Sequence, residues 1–206
     1  MPYYLLEIKT MKFGSLTLFI GPMFSGKTTR LCREVSKIAD IGIKCLIINS
    51  AKDNRHNLRR LGSCTTHNND ASISPHIDCT STNDLGSIDV SQYTCIGVDE
   101  GQFYDSLDAI KTWVVEHNKI VFVSGLDGDI QQKKFGKILD LIPLCDRCDK
   151  LTAYCKKCAQ QGKLVDAPFT RKFIVNNVDS MNNNNSNDIV DVAGSDKYEA
   201  VCRRHI

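Results

Sequence analysis

One octapeptide constrains this chain more than anything else in it. Gly21-Pro22-Met23-Phe24-Ser25-Gly26-Lys27-Thr28 satisfies G-x-x-x-x-G-K-[ST] at every fixed position. Such a loop cradles phosphate when a buried strand delivers it and a helix leaves it, and both flanks are legible. Residues 15–20 (SLTLFI) are apolar and rich in strand formers. Beyond the loop, Leu31, Val35 and Ile38 fall at i, i+4 and i+7, one face of a helix that can end near Gly42. Gly21 and Gly26 let the backbone curl so that successive N–H groups point at phosphate oxygens, and the helix opening near Lys27 adds its positive dipole end. Lys27 is expected to bridge the β- and γ-phosphates of ATP, and the Thr28 hydroxyl to sit on Mg²⁺.

The sheet behind such a loop needs further buried strands. KCLIINS (44–50), TCIGVDE (94–100) and KIVFVSG (119–125) are short, nearly continuous apolar runs of the kind buried on both faces of a parallel sheet. Leu107, Ile110, Trp113 and Val114 recur between the last two at helical spacing. The alternation predicts an α/β fold with a P-loop NTPase-like parallel sheet flanked by helices. The run at 94–100 ends in Asp99-Glu100, where a carboxylate is needed to hold the metal. Adjacent residues leaving a strand point in different directions, so Asp99 is the candidate for Mg²⁺ and Glu100 for a general base. Repulsion between the two tends to raise one pKa toward a range useful for accepting a proton. The plainer alternative is that Glu100 only orients the segment that follows.

At roughly 150 residues per domain, 206 residues suggest one large domain and a minor module. The character changes at Pro143, so the expected division is an ATP-binding domain over 1–142 and a second module over 143–206. Residues 51–92 show no informative periodicity, and SMNNNNSN (180–187) reads as a polar, mobile loop. Lys plus Arg (26) against Asp plus Glu (24) leaves a net charge of only +2, too little for non-specific nucleic-acid binding. No apolar run approaches the roughly 18 residues of a membrane span, and residues 1–12 lack the pattern of a secretory signal. A soluble, cytoplasmic chain with reduced thiols is expected, so regular Cys spacing reads first as metal binding or catalysis.

Two tetrahedral metal sites compete on spacing. One is a compact cluster of Cys145, Cys148, Cys155 and Cys158. The other joins Cys155 and Cys158 to Cys202 and His205 across a long excursion. Either could bind Zn²⁺. The remaining cysteines read as packing residues.

GPMFSGKTT, AKDNR (51–55), VDEGQF (98–103), GLDGDIQQKKFG (125–136), KLTAYCKKC (150–158), PFTRK (168–172) and GSDKYEAVCRRH (194–205), in that order, resemble the type II thymidine kinases over almost the whole chain. The resemblance implies transfer of the γ-phosphoryl of ATP to the 5′-hydroxyl of thymidine, with Mg²⁺ and a structural Zn²⁺. By the same resemblance Glu100 is the catalytic base, Asp99 serves Mg²⁺, and Gly101 and Gln102 belong to the nucleotide-contacting motif. Asp53, Asn54 and Arg55 lie at the phosphates, where Arg55 opposes charge developing during transfer.

The resemblance also implies a zinc-braced lid carrying a lasso loop over the thymidine. Its contacts carry over to Met23, Leu126, Phe135, Thr170 and Tyr198, with Phe103 nearby and Ile189, Val190, Asp191, Val192 and Ala193 along base and sugar. Ile130 stands where relatives often carry an aromatic, Ala193 where Gly is common, and His205 where many use a last cysteine. The resemblance selects Cys155, Cys158, Cys202 and His205 as the zinc ligands. It further implies a homotetramer and feedback inhibition by thymidine triphosphate. An ATP-driven switch with a zinc module that binds a partner is the alternative, and a broader nucleoside range is a second.

Overall fold

A computed structural model describes residues 13–52, 76–172 and 197–206. The apolar runs become the middle of a six-stranded sheet. Its strands are β1 (Ser15–Ile20), β2 (Cys45–Ser50), β3 (Ile77–Thr82), β4 (Cys95–Val98), β5 (Ile120–Gly125) and β6 (Arg147–Lys150). They lie in the order β3-β2-β4-β5-β1-β6, and every pairing is parallel. All four residues of β4 are buried. A strand covered on both faces accepts a polar side chain only where a partner waits for it, which is why the central runs are nearly continuous rather than alternating.

Helix α1 (Lys27–Ala39) lays Leu31, Cys32, Val35 and Ala39 against Phe19, Cys45, Ile47 and Cys95 on one face. On the other face α2 (Asp108–Val115) contributes Ile110, Trp113 and Val114 to a larger core with Leu16, Leu18, Ile96 and Val123. Burying each such Leu, Ile or Val side chain stabilises the fold by about 1.5–3 kcal/mol. Gly97 lets α1 approach β4 closely, since a Cβ there would stand 2.9 Å from Leu31 Cδ2 and 3.1 Å from Val35 Cγ2.

Two strands carry no apolar run. β3 (IDCTST) and β6 (RCDK) stand at the two ends of the strand order, where one neighbour and partial exposure suffice. β6 is fixed to β1 beyond the strand ladder by Leu16 N–H donating to Asp146 Oδ2 at 2.7 Å and Leu151 N–H donating to the Ile20 carbonyl at 2.8 Å. The compositional change at Pro143 therefore precedes the last strand of the main sheet.

The small module follows. β7 (Ala153–Tyr154) pairs antiparallel with β8 (Asp166–Ala167), α3 (Lys156–Ala159) lies between them in the chain, and β9 (Phe169–Lys172) pairs antiparallel with β10 (Tyr198–Val201). Among the described residues its core is slight: Ala153, Cys155, Cys158, Ala167, Ala200, Val201 and Cys202. So small an apolar cluster ordinarily needs a metal or a disulfide to hold it. The Asn-rich stretch 180–187 lies outside the described residues. Among the described residues, no helix is long and apolar enough to cross a membrane.

Parallel pairing brings three chain exits to one edge. The register sets Ile20 against Gly125 and Val98 against Val123. The loops after β1, β4 and β5 thus open side by side, the usual place for a ligand in a sheet of this kind.

Candidate active site

The loop after β1 takes the conformation its glycines permit. Gly21 has φ 144°, and a Cβ there would meet the Leu151 carbonyl oxygen at 2.3 Å. Phe24 (φ 65°) and Gly26 (φ 78°) also lie in the left-handed region, and Gly26 is the residue from which α1 starts. Lys27 Nζ donates to the Pro22 carbonyl at 2.6 Å, and Ser25 Oγ donates to the same oxygen at 2.8 Å. These bonds cross-brace the loop. The Met23 amide instead donates to Thr170 Oγ1 of β9 at 2.9 Å, tying loop to small module.

At the end of β4, Asp99 is buried and accepts hydrogen bonds on one oxygen from two hydroxyls. Thr28 Oγ1 donates to Oδ1 at 3.2 Å, and Ser124 Oγ at the end of β5 donates to the same atom. Burial, then the adjacent charge of Glu100, pushes the Asp99 carboxyl up to about 6 against the pull of these donors. The repulsion expected within the acid pair thus adds, after burial, to the rise at Asp99. Ser124 is a site residue that the sequence does not single out. Its one signal is a polar side chain, fully buried, near the end of an otherwise apolar strand.

Glu100 holds the left-handed conformation, φ 54° and ψ 45°. A non-glycine residue there is strained by about 1–3 kcal/mol and persists only where its surroundings dictate it. Gln102 is one such neighbour. Its Nε2 donates to Glu100 Oε2 at 2.6 Å, and its Oε1 accepts from the Leu126 amide at 2.8 Å. Buried Gln102 therefore fixes the Glu100 carboxylate to the loop after β5. Tyr104 is buried as well, its hydroxyl without a hydrogen-bond partner among the described residues. Burial and the charges of Asp99 and Glu100 raise its pKa, so it stays a neutral phenol.

Met23, Phe24, Gly26, Lys27, Thr28, Thr29, Glu100 and Leu126 line one cleft of about 360 Å³. Seven of these eight positions are ones the sequence singles out, and Thr29 is the addition. Phe103 and Phe135 do not line it; they meet edge to face with centroids 5.9 Å apart. Ile130 is partly buried on a turn closed by the Gly128–Lys134 bridge. Thr170 spends its hydroxyl on Met23, and Tyr198 is buried at the start of β10. Asp53, Asn54, Arg55 and residues 189–193 lie outside the described residues.

The cysteine spacing resolves into one constellation. The ligand atoms of Cys155, Cys158, Cys202 and His205 all lie within 4.8 Å of one another, and among the described residues this is the one group of its kind. His205 Nδ1 stands 3.3 Å, 3.6 Å and 3.4 Å from the sulfurs of Cys155, Cys158 and Cys202, and Cys158 Sγ is 3.8 Å from Cys202 Sγ. A tetrahedral zinc with bonds of about 2.0–2.3 Å needs ligand separations of about this size, so the residues fit the ion. Burial raises the Cys155 thiol, but the Cys202 and Cys158 amides and His205 outweigh it and bring it to about 6. Cys145 packs instead beside the main core, and Cys148 is exposed on β6.

A family model described as thymidine kinase matches residues 14–206. The chain is 35% identical over 191 residues to a thymidine kinase of Myxoma virus (strain Uriarra), covering 93% of this chain and 95% of that one. It is 32% identical over 196 residues to a thymidine kinase of Sheeppox virus (strain KS-1), with coverages of 94% and 97%. A thymidine kinase of Vaccinia virus (strain Ankara) is 34% identical over 194 residues, again with coverages of 94% and 97%.

Proposed function

The chain belongs to the thymidine kinase family, and from that premise we propose that it transfers the γ-phosphoryl group of ATP to the 5′-hydroxyl of thymidine. One observation carries the proposal. Lys27 and Thr28 of the phosphate loop share a single cleft with the Glu100 carboxylate, so a triphosphate held by the first two leaves its terminal group facing the third.

In this reading the amides of the Gly21–Thr28 loop and the Lys27 ammonium bind the phosphates. Glu100 accepts the proton of the 5′-hydroxyl as that oxygen attacks the γ-phosphorus, and ADP leaves. Gln102 holds the Glu100 carboxylate toward the acceptor through its 2.6 Å bond. Thr28 and Asp99 would hold Mg²⁺, which supplies charge neutralisation on the phosphates when bound. Asp53, Asn54 and Arg55 are assigned to the phosphates and Gly101 to the motif that aligns them. Positioning and electrostatics supply most of the acceleration, as is general for phosphoryl transfer.

Met23 and Leu126 form the part of the nucleoside wall supported by the cleft. Phe103, Ile130, Phe135, Thr170, Tyr198 and residues 189–193 are assigned to its remainder. The ATP-binding part is assigned to 1–142 and the lid part to 143–206, the latter beginning with β6 of the main sheet, and Cys155, Cys158, Cys202 and His205 are assigned to Zn²⁺. A homotetramer, inhibition by thymidine triphosphate and a cytoplasmic site of action complete the proposal. The last is supported by four converging thiol and imidazole groups, which ligate metal only where thiols stay reduced.

The test is a phosphorylation assay over a panel of nucleosides with purified protein. Thymidine-dependent ATP consumption with labelled thymidine monophosphate is the expected result. ATP consumption indifferent to every nucleoside would instead assign the cleft to a water-using ATPase.

A further inference from the structure

Strand β9 presents successive side chains to opposite faces, as any strand does. Two neighbours on it touch the two functional constellations. Thr170 is buried and its hydroxyl caps the Met23 amide in the phosphate loop at 2.9 Å. Arg171 turns the other way. Its Nε donates to Glu199 Oε1 at 3.1 Å, its Nη2 donates to the same oxygen, and its Nη1 donates to the backbone carbonyl of His205 at 2.8 Å. Glu199 is 5% exposed and stands directly opposite Arg171 in the β9–β10 register. The carbonyl that Arg171 grips belongs to the residue whose ring lies among the three sulfurs.

A metal on Cys155, Cys158, Cys202 and His205 fixes the turn in which the His205 amide bonds the Cys202 carbonyl at 2.9 Å. A fixed His205 carbonyl gives the Arg171 guanidinium its third anchor, beyond the two on Glu199. That holds β9, and β9 holds Thr170 against Met23. The planar fork of arginine is what permits one side chain to serve a carboxylate and a carbonyl at once.

We infer that Arg171 is a positioning residue that couples the metal knuckle to the phosphate loop, so that occupancy of each site favours occupancy of the other. This rests on the reading of the four ligands as a zinc site and of Gly21–Thr28 as a nucleotide cradle. Such coupling is reciprocal: the factor by which zinc tightens nucleotide binding is the factor by which nucleotide tightens zinc.

The experiment is a zinc competition titration against a chromogenic chelator, with and without the magnesium complex of a non-hydrolysable ATP analogue. In the unaltered protein the analogue is expected to tighten zinc at least about fivefold, the lower end of ordinary allosteric coupling. Arg171→Lys keeps a cation for Glu199 but cannot also reach the His205 carbonyl, so the ratio should fall to near one while both ligands still bind. A role in folding alone would weaken zinc binding by the same factor with and without the analogue and leave the ratio unchanged. A ratio of one in the unaltered protein, or an undiminished ratio in Arg171→Lys, overturns the coupling. If Arg171→Lys does not fold, the pair Arg171→Met with Glu199→Gln removes the half-buried cation and the buried carboxylate together and reads the same ratio. Failure of the unaltered protein to bind zinc or the analogue overturns the functional reading along with the coupling, and a separate titration of each ligand tells the cases apart.

Discussion

Asp99 and Glu100 are consecutive acids with opposite surroundings. Asp99 is 3% exposed and pushed up to about 6 from an ordinary 3.8. A carboxyl whose folded pKa exceeds its unfolded one favours folding fully below the unfolded value, and that contribution is lost as the pH rises through the folded one. The metal-free protein should therefore lose stability between about pH 4 and pH 6. Urea unfolding without magnesium should find Asp99→Asn more stable than the parent at pH 7.5, by about 1–3 kcal/mol, and less dependent on pH. The same variant should lose magnesium-dependent nucleotide binding, since stability and function oppose each other at such a site. Glu100 differs in being partly exposed and backbone-strained within the cleft. Glu100→Gln keeps shape and strain but no longer accepts a proton. Turnover should fall about 10²- to 10⁴-fold, with ATP affinity by calorimetry changed little. Undiminished turnover would remove Glu100 from the role of base. Both acids are legible in the sequence because they close an apolar run. Ser124 is not, because only the fold brings the end of β5 against the end of β4.

Helix α1 carries the site on its first turn and the core on its face. Leu31 and Val35 rest on Gly97, and Lys27 and Thr28 stand one to two turns before them. Gly97→Ala places a methyl 2.9 Å from Leu31 Cδ2 and 3.1 Å from Val35 Cγ2, so those buried side chains must shift, and what they do not absorb lifts the helix. The expected cost is about 1–3 kcal/mol, seen as a lower urea midpoint. Nucleotide affinity should weaken in parallel, because Lys27 and Thr28 move with the helix; affinity unchanged at the lower midpoint would show that the first turn does not follow. The helix and the four central strands are readable because burial on one or both faces imposes a period. β3 and β6 escape notice for the converse reason. An end strand with a partner on one side can be polar, and IDCTST and RCDK carry no periodic signal.

On the scale of the whole molecule, the described part of the small module buries little apolar surface, and Cys155, Cys158, Cys202 and His205 converge within it. Cys158→Ser should leave the purified protein short of zinc by metal analysis and render residues beyond Lys150 readily cleaved by protease, while the main sheet stays resistant. Zinc content equal to the parent's would place the ligands elsewhere. Spacing supplies both candidate ligand sets, and resemblance chooses between them, because Cys158 and Cys202 stand 44 positions apart and leave nothing local to read. The Arg171–Glu199 pair is invisible for the same reason. Asp99 joins parts that are distant in the chain: one of its oxygens receives a hydroxyl from the start of α1 and another from the end of β5. The Thr28 hydroxyl in the cleft wall is thus already held in place before a guest enters. Disorder is surrendered there once, as the protein folds, rather than afresh in every catalytic cycle.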